Sequence, residues 1–346
     1  MKNQLKDLSN PESLKFPIDI SDVDIAFLML MLESMLTIRK TEQKLALGKK
    51  SGLIGGPVHL GAGQEAIAVG ISQHLRSTDR VFGAHRSHAH LLALNPNFYR
   101  LFAEVLGKET GFSRGMGGSM HLFDQSSGFY GSVPIVAGTV SLAVGAAMAA
   151  KLQKKSDIGV VYLGDGAVEE GVVHESFNLA KIQNAPILFV IENNLFASHM
   201  HISLRQTSDM ISRFAKSNYI PYELLDGNDV VAVSHAAKRL VGDIRSGKGP
   251  RLIELVTYRF YGHVDWRDDV DVGVERSLAD IENWKAKDPI VRLSESMKNS
   301  GYLSNDKEKE LNQMIDKEID KAWNRAMSDP YPSADSILKY VYSEKK

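Results

Sequence analysis

An aspartate between two glycines and an asparagine further along the chain carry the clearest chemical signal in the sequence. Asp165 follows the apolar run IGVVYLG, and Asn194 follows a second apolar run, PILFVIEN. A carboxylate and a side-chain amide present hard oxygen ligands, which suit Mg²⁺ or Ca²⁺ better than zinc. The two residues therefore predict a site for a divalent cation, provided that the fold brings them together.

Two successive strands of a parallel sheet would place both residues at one edge. The apolar runs predict strands at about 158–163 and 186–191, with a helix at about 168–183 between them. Parallel strands joined by a crossover helix end on the same side of the sheet, where open α/β folds bind their ligands. We therefore expect Asp165 and Asn194 to converge.

The residues around Asp165 favour an anion beside the cation. Gly164 and Gly166 permit a tight turn and the close approach of a bulky anion to the backbone. The predicted helix, with its N-terminus near Ala167, would offer free N–H groups to phosphate oxygens. Two protein oxygens are too few for octahedral magnesium, so a carbonyl, water and a diphosphate must complete the coordination. The local sequence thus indicates a metal-bridged diphosphate.

The wider pattern predicts an α/β fold, a parallel sheet with helices on both faces, because continuous β-rich apolar runs alternate with helical segments. Ser21 and Asp24 look like a capping box that opens a helix at about 22–47. Residues 107–134 are rich in glycine and serine without periodicity, which predicts a long functional loop. The other predicted elements are helices at about 64–74, 138–152 and 229–246, a short helix after 191, and strands at about 222–225 and 251–258.

The ends of the chain are predicted to be helical extensions of this fold. From about 277 to 346 the sequence is charged and helical in pattern, and Leu311, Ile315, Ile319 and Ala322 mark the buried face of one surface helix. We expect residues 1–346 to form a single α/β domain that includes these extensions.

Composition excludes several classes of protein. The 346 residues are 43% hydrophobic and 24% charged, which are globular values, and the net charge of −1 provides no field for nucleic acid or an anionic membrane. The absence of cysteine rules out disulfides, thiolate zinc sites and cysteine nucleophiles. The N-terminus has no apolar signal core, and the run 25–32 is too short to span a bilayer. We expect a soluble, cytoplasmic protein.

At the level of whole motifs, the chain resembles the α subunit of a thiamine diphosphate-dependent 2-oxo acid dehydrogenase E1 component, of the pyruvate, acetoin or branched-chain type. GDG followed by NN is similar to the thiamine diphosphate motif. The resemblance covers roughly residues 22–330. Its other blocks are MLTIRKTEQKL, HLGAGQEA at 59–66, GAHRSHAH at 83–90, GMGGSMHLF at 115–123, IVAGTVSLAVGAA at 135–147 and SGKGPRLIELVTYRFYGH at 246–263.

This resemblance implies a specific cofactor site. Asp165, the Asn194 side chain and the Phe196 carbonyl would bind Mg²⁺. Arg86, His85 and the backbone N–H groups of Gly166 and Ala167 would hold the diphosphate of thiamine diphosphate, with an additional contact from His263. Pro134 and Val136 lie where the family grips the aminopyrimidine. His263 and, as a second active-site histidine, His59 match the positions of catalytic residues.

The implied activity is that of an oxidoreductase acting on an oxo group with a lipoyl disulfide as acceptor. A 2-oxo acid is decarboxylated, or acetoin is cleaved, and the acyl group passes to a lipoyl group of an E2 acyltransferase. The glutamate that completes the site belongs to the β subunit in this family, so an E1 β subunit is implied, in an α2β2 heterotetramer. Two alternatives stay open: a thiamine diphosphate-dependent carboligase or lyase without a lipoyl partner, and a non-catalytic cofactor-binding subunit. The sequence does not identify the 2-oxo acid.

Other motifs admit simpler interpretations. His85, His88 and His90 could suggest zinc, but without a fourth ligand we expect His88 and His90 to be hydrogen-bonded structural or cavity-lining residues. GAGQEA at 61–66 satisfies a dinucleotide-binding pattern, but no convincing strand precedes it. Glu169 and Glu170 are interpreted as first-turn residues that favour the helix dipole.

Some positions depart from the family pattern. Val264 stands where the animal enzymes carry a regulatory serine, so phosphorylation there is not supported. His85 and Phe196 replace common tyrosines. We hypothesise that Asp265, Asp268 and Asp269 pair with basic residues when their loop orders over a bound cofactor. The His-rich stretch FASHMHISL at 196–204 could line the substrate cavity.

Overall fold

The computed structural model describes residues 2–268, 276–336 and 338–339. Within them, parallel strands form one six-stranded sheet in the order β2-β1-β3-β4-β8-β7. The strands are β1 (Arg80–Gly83), β2 (Phe129–Ser132), β3 (Gly159–Gly164), β4 (Ile187–Asn193), β7 (Tyr222–Asp226) and β8 (Arg251–Val256), and a small antiparallel pair is formed by β5 (Phe196–Ala197) and β6 (Met200–His201). The prediction of an α/β fold with a parallel sheet is confirmed.

Both faces of the sheet are covered by helices, which explains why its central strands are continuously apolar. On β3, Val160 and Tyr162 join one core cluster, whereas Val161 and Leu163 join the other. Successive side chains of a strand point to opposite faces, so a strand buried on both sides needs apolar residues at every position. The alternation on β3 therefore shows that the core has two halves, one on each side of the sheet.

The helices flank this sheet in chain order. They are α1 (Ile25–Lys50), α2 (Glu65–Ser72), α3 (His88–Leu94), α4 (Phe98–Val105), α5 (Val140–Leu152), α6 (Gly171–Ile182), α7 (Arg213–Ser217), α8 (Val230–Arg245), α9 (Leu278–Lys285), α10 (Pro289–Asn299) and α11 (Asn305–Ser328). Helices α5 and α6 pack against each other, and α5 also contacts β3 and β1. Helices α2 and α8 pack together, and both contribute to the core half that also contains residues of α1, α4, α10 and α11.

The C-terminal helices are fastened to α1 and α4. In α11, Ile315, Ile319 and Ala322 are buried and Leu311 packs partly against the same cluster, as predicted for this face. Trp323 meets Phe102 edge to face at 5.2 Å. Charged pairs line the outer seam, where Lys40 lies 2.8 Å from Asp316 and Lys44 lies 2.7 Å from Asp320. The predicted helical C-terminal region is thus present as α9–α11, and residues 337 and 340–346 lie outside the described residues.

Several local predictions were wrong. The cap of α1 is Asp24, which accepts hydrogen bonds from the N–H groups of Ala26 and Phe27, so the helix begins at Ile25 rather than after Ser21. The chain after Asp165 forms a 3₁₀ turn at Ala167–Glu169, and α6 begins only at Gly171. The predicted loop at 107–134 contains β2, and β1, α3 and α4 were not predicted. These elements have four to eight residues, too few to establish a hydrophobic period.

Candidate active site

Asp165 and Asn194 do converge. β3 ends at Gly164 and β4 ends at Asn193, and the two strands pair in parallel, with Gly164 opposite Glu192. Asp165 is 1% exposed and Asn194 is 8% exposed, so both polar residues are buried at the edge of the sheet. The edge formed by the carboxyl ends of β3 and β4 is therefore where the candidate site begins.

One cavity of about 480 Å³ collects the predicted site residues. This volume lies within the range of about 300–1,000 Å³ that is typical of small-molecule sites. Every residue predicted to bind the cofactor or the metal, or to act in catalysis, lines it, namely His59, His85, Arg86, Pro134, Val136, Asp165, Gly166, Ala167, Asn194, Phe196 and His263. The fold thus brings the predicted set together, while the role of each residue stays a prediction.

The Asn194 amide is held in one orientation. Its Oδ1 accepts the N–H of Phe196 at 3.2 Å, and its Nδ2 donates to Oε1 of Gln64 at 3.2 Å. Gln64 lies at the start of α2 and also lines the cavity. Gln64 was part of a quoted motif but was not predicted as a site residue, because only the folded chain shows its amide beside Asn194.

The Asp165 carboxylate is paired with a residue that the sequence did not point to. Arg205 Nη2 donates to Asp165 Oδ2, and Arg205 Nη1 donates to the Glu169 carboxylate. Burial raises the pKa of Asp165, and the Arg205 guanidinium opposes that rise. Glu169 therefore has a side-chain partner, and it lies in the 3₁₀ turn before α6 rather than in the first turn of that helix, where it was expected.

Gly166 is required by a close approach rather than by a special turn. Its φ is −72°, which any residue adopts, but a Cβ at this position would lie 2.5 Å from the Cβ of Ala197. Gly164 is different, because a Cβ there would meet nothing within 4 Å. The segments 164–167 and 196–198 therefore form two walls of the cavity, pressed together at Gly166 and Ala197.

Arg86 is buried at the same cavity and held by carbonyl groups. Its Nη1 donates to the Leu60 carbonyl and its Nη2 donates to the His263 carbonyl at 3.1 Å. The Nη2 atom also lies 3.5 Å from His263 Nδ1. These contacts tie the loop that carries His263 to the segment that precedes α2, and they place a permanent positive charge at the cavity.

Three imidazoles surround this charge. The ring centroids of His59, His85 and His263 are 4.7 to 5.4 Å apart, and their nitrogen ligand atoms lie within 4.8 Å of one another. Burial, reinforced by the Arg86 charge, lowers the pKa of His59 to about 3 and that of His85 to about 2. Both rings are therefore neutral at physiological pH. His59 Nδ1 is buried without a hydrogen-bond partner among the described residues, as expected of a group that awaits a ligand.

His88 and His90 have structural contacts, as predicted. His88 lies 3.0 Å from a Glu42 oxygen and 2.8 Å from the Ser119 hydroxyl. His90 lies 3.1 Å from Glu192 and stacks on Tyr162 with centroids 3.8 Å apart. Among the described residues, His85, His88 and His90 do not form a group that could hold a metal. His85 instead lies close to His59 and His263.

The sequence analysis missed other cavity residues. Glu170 and Glu192 line the cavity, although the first was assigned only a helix-dipole role and the second was not singled out. From the His-rich stretch, Phe196, Ala197 and Ser198 line the cavity. Asp265 lies 3.8 Å from Lys49 and 3.6 Å from Arg267, whereas Asp269 is outside the described residues. The pairing of this loop's acids over a bound cofactor stays a hypothesis.

The donor set fits a divalent cation beside a diphosphate. Carboxylate and amide oxygens leave one sheet edge, a permanent cation and neutral imidazoles line the same cavity, and no side chain lies close to the backbone at Gly164. Within the described part of the chain, no helix is both long enough and apolar enough to cross a bilayer.

Comparison with known proteins gives the family of the chain. The Dehydrogenase E1 component family matches residues 33–335. The chain is 35% identical to the α subunit of acetoin:2,6-dichlorophenolindophenol oxidoreductase from Bacillus subtilis (strain 168), over 90% of this chain and 92% of the relative. It is 35% identical to the α subunit of the pyruvate dehydrogenase E1 component from Rhizobium meliloti (strain 1021), over 88% and 86% of the two chains.

One of the relatives is a human mitochondrial protein. The somatic form of the mitochondrial pyruvate dehydrogenase E1 component α subunit is 34% identical, over 89% of this chain and 78% of the relative. These matches support the E1 α-subunit interpretation over the carboligase and the non-catalytic alternatives. The chain, with its parallel sheet and its Asp165–Asn194 edge, belongs to the dehydrogenase E1 component family of oxidoreductases.

Proposed function

We propose that this chain is the α subunit of an E1 component that uses thiamine diphosphate and Mg²⁺ to act on a 2-oxo acid or on acetoin, passing the acyl group to a lipoyl-bearing E2 partner. One observation carries the proposal: a single cavity is lined by Asp165 and Asn194 from adjacent strand ends and by every other residue that the family pattern assigns to the cofactor.

The chain's own residues would hold the cofactor as follows. Asp165, the Asn194 amide oxygen and the Phe196 carbonyl would bind Mg²⁺, and Arg86 and His85 would contact the diphosphate. When bound, thiamine diphosphate supplies the nucleophilic carbon on which decarboxylation of a 2-oxo acid or cleavage of acetoin depends.

The histidines would act as neutral hydrogen-bond donors and acceptors rather than as fixed positive charges. His59 and His85 are neutral because burial and Arg86 disfavour their protonated forms, so each ring offers one N–H donor and one lone pair. His263 packs against both rings, and its carbonyl oxygen accepts a hydrogen bond from Arg86. We assign His263, assisted by His59, to orient the substrate and exchange protons at the cavity mouth.

A β subunit would complete the site. Val136, at the proposed aminopyrimidine position, is 49% exposed, the adjacent Ile135 is 70% exposed, and Leu142 in the first turn of α5 is 57% exposed. Apolar side chains beside a cofactor cavity are typical of a surface that another subunit covers. We propose an α2β2 assembly in which the partner supplies the carboxylic acid that activates the cofactor.

The names of the relatives divide between pyruvate and acetoin at equal identity, so the substrate has to be measured. The test is co-expression with a β-type chain encoded by an adjacent gene. Turnover is then assayed on pyruvate, branched-chain 2-oxo acids and acetoin. Each assay contains thiamine diphosphate, Mg²⁺ and an artificial electron acceptor. Cofactor-dependent turnover that disappears in Asp165→Ala but persists in Asp22→Ala, which alters an exposed surface aspartate, supports the proposal and identifies the substrate.

The other outcomes are equally informative. Cofactor binding without turnover on any of these substrates would favour a carboligase that transfers to an aldehyde acceptor. Failure to bind thiamine diphosphate even with the β chain would refute the proposed function. Reductive acylation of a separate lipoyl domain by the active complex tests the E2 step, which the artificial acceptor bypasses.

A further inference from the structure

Arg205 is a charged residue in contact with the candidate site, and neither the motifs nor the comparisons assign it a role. Its two terminal nitrogens donate to Asp165 and Glu169, and its Nε lies 3.3 Å from the Met200 carbonyl oxygen. The Arg205 side chain is only 6% exposed. Three acceptors, two of them on the segment that follows β3 and one on β6, therefore fix the plane of the guanidinium.

The guanidinium occupies only one oxygen of the Asp165 carboxylate. Arg205 contacts Oδ2, and no other residue in the described part of the chain donates to this carboxylate. Asp165 lines the cavity, so Oδ1 is the oxygen left for a ligand there. A carboxylate clamped through one oxygen has a defined direction for the other.

The local charge favours a cation in addition to Arg205. Asp165 and Glu169 carry two negative charges, and Arg205 supplies one positive charge between them. Gln206 Nε2 also donates to Glu169, at 2.5 Å, which keeps that carboxylate in place. These three side chains together keep a net negative charge, and Asp165 lines the same cavity as Asn194.

We propose that Arg205 is a positioning residue that clamps Asp165 Oδ2 and thereby directs Oδ1 at a divalent cation in the cavity. The inference rests on the proposed function, and it identifies a residue that acts through Asp165 rather than on the cofactor. Carboxylate ligands of metal ions are commonly held by such outer partners, whose loss typically weakens metal binding by about 10–100-fold.

A purely electrostatic role makes the opposite prediction. If Arg205 only repelled the cation or competed with it for Asp165, its removal would leave the negative charges of Asp165 and Glu169 unopposed and metal binding would tighten. The sign of the change in affinity therefore separates positioning from competition.

The experiment titrates the full chain, co-purified with its β-type partner and saturated with thiamine diphosphate, with Mn²⁺, and follows free Mn²⁺ by electron paramagnetic resonance. Arg205→Met is expected to raise the Kd for Mn²⁺ about 10–100-fold. Arg205→Lys, which keeps the charge, should recover part of that loss. The matched control is Arg239→Met, which removes an exposed arginine paired with Glu223 at 2.7 Å and should leave the Kd unchanged.

Equal or tighter Mn²⁺ binding by Arg205→Met, with a wild type that binds, would overturn the positioning role and leave the proposed function intact. A wild-type complex that binds no Mn²⁺ would overturn both. If Arg205→Met lacks a native near-UV circular dichroism spectrum, Arg205→Lys decides, because it keeps the positive charge but loses the fork that binds Asp165 and Glu169 together. Its Kd should then rise by a smaller factor, and an unchanged Kd would reject the clamp.

Discussion

At the scale of single residues, the environment of each side chain decides what its type can do. Asp165 matters because burial and one arginine leave a single carboxylate oxygen for the cavity. Gly166 matters because Ala197 approaches it, and His59 and His85 matter because they are kept neutral. The same residue types at the surface would carry none of these properties.

The contact at Gly166 can be tested directly. Gly166→Ala should destabilise the protein by about 1–3 kcal/mol, because its Cβ would lie 2.5 Å from that of Ala197 and the wall must move. The double variant Gly166→Ala/Ala197→Gly should recover most of this loss in urea unfolding. Gly242→Ala is the control, since its Cβ would meet nothing within 4 Å in α8, and it should stabilise by up to about 1 kcal/mol. Absence of rescue in the double variant would mean that the strain lies elsewhere.

The neutral histidines predict a pH dependence of stability. Their pKa values in the folded chain, about 3 for His59 and about 2 for His85, lie below the unfolded value of 6.5. The unfolded chain therefore takes up protons first as the pH falls, and stability is lost below about pH 6.5. Each group should contribute about 1 kcal/mol per pH unit there.

The measurement is the free energy of unfolding between pH 7.5 and pH 5.5 in the wild type and in His85→Gln. The variant should show the shallower slope, because one of the two groups no longer titrates. His121→Gln changes an exposed histidine and serves as the control. Parallel curves for all three proteins would contradict the assignment.

At the scale of elements, the glycine-rich loop is ordered by one carboxylate. Glu104, buried on α4, accepts the N–H groups of Ser113 at 2.6 Å, Gly115 at 3.0 Å, Gly117 at 2.7 Å and Gly118 at 3.1 Å. The same loop carries Ser119, which contacts His88, and Met120, which lines the cavity. A segment without periodicity is thus fixed by four backbone hydrogen bonds to a neighbouring helix.

Replacement of this carboxylate should loosen the loop before it unfolds the protein. Glu104→Gln turns one acceptor oxygen into a donor that faces backbone N–H groups, at a cost of about 1–3 kcal/mol. Hydrogen exchange at 111–120 should accelerate, while exchange in β3 and β4 should not change. Glu109→Gln, at an exposed position within the same loop but outside the bonded segment 113–118, provides the comparison. Uniform acceleration across the sheet would indicate global destabilisation instead.

The sequence predicted structure best where a hydrophobic pattern repeats, and worst where segments that are remote in sequence contact each other. β3 and β4 were predictable because burial on both faces demands an unbroken apolar run. β1 and β2 were missed because strands of four residues, RVFG and FYGS, hold too little pattern. Asp24 replaced Ser21 as the cap because the two residues lie one helical turn apart and both types cap helices.

The same distinction applies to the site. Asp165 and Asn194 could be found because strand ends in a parallel sheet share an edge. Arg205, Gln64 and the neutrality of His59 could not, because each depends on contacts between segments that are remote in sequence. The resemblance to a family supplied roles, but only the fold shows which side chains hold those residues in place.

At the scale of the whole molecule, one core half unites both ends of the chain. Leu32 of α1, Ile67 of α2, Leu293 of α10 and Trp323 of α11 belong to the same buried cluster. Arg39 adds a buried bridge, with its Nη1 2.7 Å from Asp288 and its Nε bound to Glu65. This packing supports our proposal that the C-terminal helices form part of a single domain.

A single domain should unfold in one step. Calorimetry of the isolated chain should give one transition with equal calorimetric and van't Hoff enthalpies. Arg39→Met should lower the midpoint of the whole transition, because it leaves Glu65 and Asp288 buried without their shared cation. A separate early transition for α9–α11 would show that those helices form an independent unit.

The strand order also determines which parts of the sheet can form while the chain is being synthesised. β1, at residues 80–83, lies in the sheet between β2 and β3, whose residues 129–132 and 159–164 are translated much later. The nascent N-terminal third therefore carries α1, α2 and the apolar residues of β1 without a sheet to cover them. A chaperone that binds nascent chains should therefore raise the yield of native protein more when it acts early in synthesis than when it is supplied only after residue 193.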